Sequence, residues 1–259
     1  MELITIFYLA AIIALSFMTA GWLASLPLKN SSIVDYMWGM GFVILVWFYY
    51  IFASSGFSGR KLLISAIVSI WGIRLSFHIF RRNRGKGEDF RYKKWHDETG
   101  AKWRWISFFK VFLLQGLLLW LISSPLLGAQ FYPGGKKINF IDLVGIVVWI
   151  VGFLFESIGD YQLSRFKANP RNKGKVLDFG LWRYTRHPNY FGDAMQWWGF
   201  YLISLAARGW WTIYSPLIMS FLLLKVSGVS LLEKSLKSDK PGYSEYTKKT
   251  NVFFPWFPK

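Results

Sequence analysis

Leu3-Ile-Thr-Ile-Phe-Tyr-Leu-Ala-Ala-Ile-Ile-Ala-Leu-Ser-Phe-Met-Thr-Ala-Gly-Trp-Leu-Ala-Ser-Leu26 contains no charged side chain. A helix needs about 20 such residues to cross the hydrocarbon of a bilayer, so this stretch is long enough to span one. Only Met1 and Glu2 precede it, without a basic leader, and no cleavage site follows at the right distance. It reads as a retained helix rather than a signal peptide. Six further apolar stretches follow, near 33–54, 61–80, 105–127, 139–160, 189–207 and 210–233. With 53% hydrophobic and 20% aromatic residues, the expectation is an all-α integral membrane bundle of about seven transmembrane helices, a single domain over 1–259.

The formal net charge of +17 invites a nucleic-acid partner, but its distribution points elsewhere. Of the 31 Lys and Arg, nine lie in 81–104, seven in 165–186 and six from Lys234 onward, and Lys29 adds one. With seven spans all of these fall on one side, leaving Arg60, Lys61, Lys136, Lys137 and Arg208 on the other. The positive-inside rule then sets the N-terminus outside and the C-terminus in the cytoplasm. Membrane lipid accounts for part of the excess, and no nucleic acid is expected. With no cysteine, disulfides, thiol catalysis and iron–sulfur ligation are excluded.

The densest polar cluster is Gly180-Leu-Trp-Arg-Tyr-Thr-Arg-His-Pro-Asn-Tyr-Phe-Gly-Asp-Ala-Met-Gln-Trp-Trp-Gly199. It sets Tyr184, Arg186, His187, Asn189, Tyr190 and Asp193 at the mouth of a hydrophobic segment, where polar groups are costly and usually have a task. Pro188 suits a first helical position, whose free amides attract anions. Asn189, Asp193 and Gln196 then fall on one helical face. Just upstream, Arg165, Arg171, Lys173 and Lys175 could hold a pyrophosphate and a ribose phosphate, since arginine forks onto phosphate and lysine supplies a point charge. His187 reads as a donor to a cofactor or as a helix cap. His78, His96 and His187 have no ligand-like spacing, so no metal site is expected. Gly85-Lys-Gly-Glu-Asp-Phe90 lacks the third glycine and the preceding strand of a dinucleotide fingerprint.

Other ionisable groups fall within the apolar stretches: Asp35, Arg74, His78, Lys110, Glu156, Asp160, Lys225 and Glu233. Arg74 and His78 share a helical face, as do Glu156 and Asp160. The plain reading is pairing between helices, with snorkelling for the lysines. Trp38, Trp71, Trp197 and Trp198 lie near these clusters and could line a pocket for a flat apolar substrate.

The run from Gly180 to Asp193 resembles the signature of the steroid 5α-reductase family, and its Arg-His-x-Asn-Tyr-x-Gly-Asp core is similar to that of sterol C14 and C7 reductases. The resemblance covers about Glu156 to Phe254. Asp35-Tyr-Met-Trp-Gly, Trp71-Gly-Ile-Arg-Leu and Gly87-Glu-Asp-Phe-Arg-Tyr92 look like a bacterial branch of membrane reductases. The resemblance implies NADPH held by residues 139–259, with 1–130 forming mainly the substrate half. It implies that Asn189, Tyr190 and Asp193 contact the nicotinamide half. Asp160 and Tyr161 match the family's acid–tyrosine pair, and Arg171 its phosphate arginine. Glu233 and Tyr243 or Tyr246 stand where the family closes over the cofactor. The animal enzymes' glutamate and tyrosine for the steroid carbonyl have no clear match. Asp35 or Tyr36, and His78, are the nearest catalytic candidates, with Trp38, Arg74, Gln196 and Trp197 at the substrate.

The reaction this implies is hydride transfer from NADPH to the β-carbon of an α,β-unsaturated ketone, a steroid-like Δ4-3-ketone above all, with an acid stabilising the enolate. A partly buried Asp35 that stays protonated would serve, or else His78. The rival enzyme is a membrane methyltransferase of the isoprenylcysteine or phospholipid type, using S-adenosylmethionine through a similar Arg-His-Pro entry. A non-catalytic sterol-binding protein is the third reading. The short loops suit a bacterial inner membrane, and a monomer is the expected state.

Overall fold

The computed structural model describes residues 1–226, 228–230, 232, 233, 236 and 242–258. Among them the regular structure is entirely helical. In chain order the α-helices are α1 (Leu3–Leu28), α2 (Ile33–Phe52), α3 (Ser58–Asn83), α4 (Phe90–Thr99), α5 (Trp103–Ser107), α6 (Leu114–Ile122), α7 (Ser124–Phe131), α8 (Phe140–Ala168), α9 (Pro188–Ala206), α10 (Tyr214–Phe221) and α11 (Tyr243–Lys249). Short 3-10 and π turns join several of them.

Five helices are long and apolar enough to cross a membrane: Leu3–Leu28, Ile33–Phe52, Ser58–Asn83, Phe90–Phe131 and Phe140–Ala168. They correspond to the first five expected stretches. The sixth, α9, is helical, but Asn189, Asp193 and Gln196 give it a polar stripe and it falls outside that group. The seventh begins as a shorter apolar helix, Trp210–Val226, with a π turn over Leu222–Val226. Residues 227 and 231 of that stretch lie outside the described ones.

Two boundaries differ from the sequence reading. The polar segment 81–104 is not loop throughout, because helix begins at Phe90 and runs into the fourth span. Asp89 starts it, its side chain accepting from Arg91 N at 3.1 Å and satisfying a free amide of the first turn. The fifth span continues about two turns past 160 and carries Arg165 and Lys167 in its last turn, where cations oppose the helix dipole.

The chain forms two compact units, 1–139 with 204–212, and 140–203 with 213–259. Within the first, α2 and α3 meet at Gly39 and Gly72. A Cβ on Gly72 would lie 2.6 Å from Gly39 O. Small residues bring helix backbones together where lipid offers no hydrophobic drive for packing. Tyr49 and Ser123 share a buried hydrogen bond of 2.7 Å, and Trp120 Nε1 donates to Phe7 O at 2.8 Å.

Within the second unit, Gly145, Gly152 and Gly159 recur every seventh residue on one face of α8 and meet the facing side of α9. A Cβ on Gly145 would stand 3.0 Å from Gly199 O, one on Gly152 2.6 Å from Gly192 O, and one on Gly159 3.1 Å from Pro188 Cγ. The pairing runs antiparallel, and it sets the side chains beside the glycines within hydrogen-bonding reach.

Candidate functional site

In the second unit two acid–amide pairs bridge α8 and α9. Asn189 Nδ2 donates to Asp160 Oδ1 at 3.1 Å, and Gln196 Nε2 donates to Glu156 Oε2 at 2.6 Å. Glu156, Asp160 and Gln196 are buried. Asp193 lies between the pairs on α9 and is half-buried. Gln196 Oε1 is buried with no hydrogen-bond partner among the described residues. Trp197, expected at the substrate, is fully buried with its ring edge-on to Phe200 at 5.3 Å.

Past Asp160, the end of α8 and the turn that follows it form a basic rim. Arg165, Arg171 and Lys173 are exposed, Arg165 Nη1 donates to the Tyr161 hydroxyl at 3.0 Å, and Tyr161 itself is exposed.

Arg186 and His187 are committed elsewhere. Arg186 forks onto Glu233, Nε to Oε1 at 2.9 Å and Nη2 to Oε2 at 3.2 Å, and its Nη1 donates to Thr247 O and Thr250 O. His187 Nε2 donates to Glu233 Oε1 at 3.0 Å, which fixes the proton on that nitrogen because a carboxylate only accepts. The Tyr243 hydroxyl completes the set at 2.8 Å. Burial alone would push the Glu233 carboxyl up. The hydrogen bonds from His187, Arg186 and Tyr243, with the Arg186 charge, reverse this and hold it at about 2. Tyr243 moves the other way, raised by burial and by its bond to Glu233. Burial likewise raises Tyr246, whose hydroxyl donates to Trp182 O. Tyr184 O accepts from Trp256 N at 3.0 Å, and Tyr190 stacks on the His187 ring at 5.8 Å. These six expected cofactor contacts (Tyr184, Arg186, His187, Glu233, Tyr243 and Tyr246) thus form a clasp that fastens the C-terminal segment to the entrance of α9.

The first unit holds a second cluster at the start of α2. Asp35 accepts from Arg91 Nη2 at 2.8 Å and from the Tyr92 hydroxyl at 2.7 Å. Arg91 Nε also donates to Asp89 Oδ1 at 2.8 Å, and Asp89 N to Ser32 Oγ at 2.8 Å. Burial pushes the Asp89 carboxyl up, but the Arg91 hydrogen bonds and charge outweigh it and leave it below the usual range. Ser31 N donates to Glu88 Oε1 at 2.6 Å, and His96 Nδ1 to Glu88 Oε2 at 3.1 Å. Asp35, expected as a proton donor, is here an acceptor on both oxygens. Tyr36 packs edge-on to Phe80, and Trp38 edge-on to Phe42. Arg74 and His78 are half-buried one turn apart on α3.

Glu88, Asp89, Arg91 and Tyr92 of Gly87-Glu-Asp-Phe-Arg-Tyr92 carry no expected role in the sequence. The signal was the acid pair followed by Arg91 and Tyr92, directly before a helix start. The C-terminal partners of Arg186 are backbone carbonyls, which no residue pattern reveals. Among the described residues no group of three His, Asp or Glu stands close enough to hold a metal ion.

The family described as "Protein of unknown function (DUF1295)" matches residues 21–250. An uncharacterised protein of Schizosaccharomyces pombe is 26% identical over 264 residues, 90% of this chain and 75% of that protein. The 3-oxo-5-alpha-steroid 4-dehydrogenase 1 of Bos taurus is 31% identical over 68 residues, 26% of each chain. A probable O-methyltransferase, ustE of Ustilaginoidea virens, is 33% identical over 73 residues, 28% of this chain and 26% of that protein. The likeness to both enzymes thus spans about a quarter of their length. No solved structure matches.

Proposed function

This chain belongs to the DUF1295 family, and we propose that it is a membrane reductase that saturates the C=C bond of an α,β-unsaturated ketone, a 3-oxo-Δ4-steroid-like molecule, with NADPH as electron donor. The observation that carries the reading is the buried ladder of Asp160–Asn189 and Glu156–Gln196 beside Asp193, edged by Arg165, Arg171 and Lys173. A cofactor with an amide-bearing ring and phosphates needs both parts: amides and carboxylates for its ring and ribose, cations for its phosphates. The residues present fit that donor set, and NADPH, when bound, supplies the hydride.

The chain's own part is to hold, orient and protonate. Asn189, Tyr190 and Asp193 bind the ring half and Arg171 and Lys173 the phosphates, while Arg186 and His187 keep the C-terminal segment in position. In the first unit the Tyr92 hydroxyl donates to Asp35 across 2.7 Å beside the Arg91 charge. Tyr92, oriented by Asp35, is the group we assign to polarise the ketone. Addition of hydride at the β-carbon leaves an enolate; the Tyr92 hydroxyl turns from Asp35 to give its proton to the enolate oxygen beside the Arg91 charge, and the enol then takes a proton from water at the α-carbon and returns one to Tyr92.

One observation favours a second reading, the 33% identity to a probable O-methyltransferase. S-adenosylmethionine has no phosphate and would leave the Arg165, Arg171 and Lys173 rim without a ligand. The test is thermal stabilisation of the purified protein in detergent by NADPH, NADH and S-adenosylmethionine. NADPH is expected to raise the melting temperature, and Asn189→Ala and Asp193→Ala to abolish that rise. A rise with S-adenosylmethionine alone overturns the reductase reading.

A further inference from the structure

The last residues of the chain expose aromatic side chains that nothing in the proposed reaction uses. Phe254, Trp256 and Phe257 are 72%, 68% and 75% exposed, three large rings within four residues. They are not on a loose end. Trp256 N donates to Tyr184 O at 3.0 Å, Thr185 Oγ1 to Phe253 O at 2.8 Å, and Asn251 O accepts from Arg186 N at 2.9 Å. Phe257 meets Tyr184 edge-on at 6.1 Å, and Phe254 meets Phe191 at 6.2 Å. The chain is thus held with its aromatic rings turned outward.

The level at which it is held is set by α8 and α9. Phe191 lies in the first turn of α9. The preceding segment packs on the last turns of α8: Trp182 Nε1 donates to Gly159 O at 3.1 Å, Leu181 N to Gln162 Oε1 at 3.0 Å, and Trp182 and Leu177 are buried with Phe166. That turn of α8 ends a membrane-crossing helix and carries Arg165 and Lys167. Arg183, Lys248 and Lys249 are exposed on the same fastened segments, with Glu245 the acid on α11. Outward aromatic rings with a basic flank, at the depth where a span ends, match the headgroup boundary of a bilayer, where amphipathic rings partition and lysines meet anionic lipid.

We propose that residues 252–257 are an interfacial anchor that inserts Phe254, Trp256 and Phe257 into the anionic leaflet at which α8 ends. The anchor ties the clasp to the membrane surface, because the same residues bond to Tyr184 and Thr185 and the adjoining Asn251 bonds to Arg186. It is independent of which cofactor the second unit binds.

The absence of cysteine makes the test direct. Phe257→Cys, Phe254→Cys and, as a water-exposed reference on α11, Ser244→Cys are each labelled with an environment-sensitive NBD dye. They are reconstituted in nanodiscs of phosphatidylcholine with phosphatidylglycerol. The labels at 254 and 257 are expected to be blue-shifted and quenched several-fold more than that at 244 by lipid carrying a shallow doxyl group. Equal, water-like emission and equal quenching at all three positions overturn the proposal. So does a blue shift at 257 that lipid does not quench and that grows with protein concentration, the outcome for a second copy of the chain as occupant. Phe257 is so exposed that its replacement carries little folding risk, and the melting temperature in detergent checks this for each variant.

Discussion

Arg186 grips Glu233 with both arms of its guanidinium, at 2.9 and 3.2 Å, and gives its remaining nitrogen to the carbonyls of Thr247 and Thr250. An arginine so engaged is a structural tie between the entrance of α9 and the C-terminal segment. Both side chains are largely buried, at 11% and 13% exposure. Removing one partner strands the other, so Glu233→Gln is expected to cost about 3–5 kcal/mol. Arg186→Lys is expected to cost a similar amount, because an ammonium cannot fork. Thermal melting in detergent reads this directly. A melting point unchanged from wild type in both variants would remove the clasp from the account.

The same carboxylate sets an acid limit on stability. Its folded pKa is about 2 against an ordinary value of 4.5. A depressed pKa means that the stabilisation is complete above about 4.5 and is lost as pH falls through about 2. The gap in melting temperature between wild type and Glu233→Gln is therefore expected to be constant from pH 7 down to about 5 and to close below that. A gap that instead widens toward low pH contradicts the assignment of Glu233 as an ionised hub for Arg186, His187 and Tyr243.

The contact between α8 and α9 depends on the absence of side chains. A Cβ at residue 152 would meet Gly192 O at 2.6 Å and Gln196 N at 2.8 Å, both backbone atoms that cannot step aside. Gly152→Ala is expected to force the helices apart at a cost of about 1–3 kcal/mol, and to stretch the neighbouring Glu156–Gln196 bond. Loss of melting temperature together with loss of NADPH stabilisation checks it. Gly87→Ala is the matched control, because nothing lies within 4 Å of its Cβ. Its melting temperature is expected to stay at the wild-type value.

Apolar runs of sufficient length are legible in any sequence, and five of the expected stretches are helices long enough to cross a membrane. The glycine register was equally present, at 145, 152 and 159, yet a period of seven in glycines means nothing until a facing helix supplies 192 and 199. Arg186 shows the opposite limit. Its residue type and position suit a phosphate, but the acceptors that occupy it are a carboxylate 47 residues away and two carbonyls 61 and 64 residues away. Pairing over such a separation is decided by tertiary packing, which local pattern does not encode. Asp35 is the same case, since Arg91 and Tyr92 reach it from the start of a helix that the charge pattern presented as loop.

Tyr92 offers the sharpest separation of chemistry from binding. Its hydroxyl donates to Asp35 Oδ1 at 2.7 Å and belongs to the first unit, whereas the proposed cofactor contacts belong to the second. Tyr92→Phe removes the one oxygen assigned to the ketone and keeps the ring. Loss of one hydrogen bond costs on the order of 1 kcal/mol of stability, so the protein stays folded. Loss of an oxyanion donor costs roughly 10²–10³-fold in turnover. The variant is therefore expected to keep the full thermal shift with NADPH while its reduction of a 3-oxo-Δ4-steroid, followed as NADPH absorbance, falls by about that factor. Asp35→Asn is expected to show a smaller loss, because the amide still accepts from Tyr92 but no longer pairs with the Arg91 charge. Turnover at the wild-type rate in Tyr92→Phe would move the polarising role to another side chain of the first unit, with His78 on α3 next to be tested.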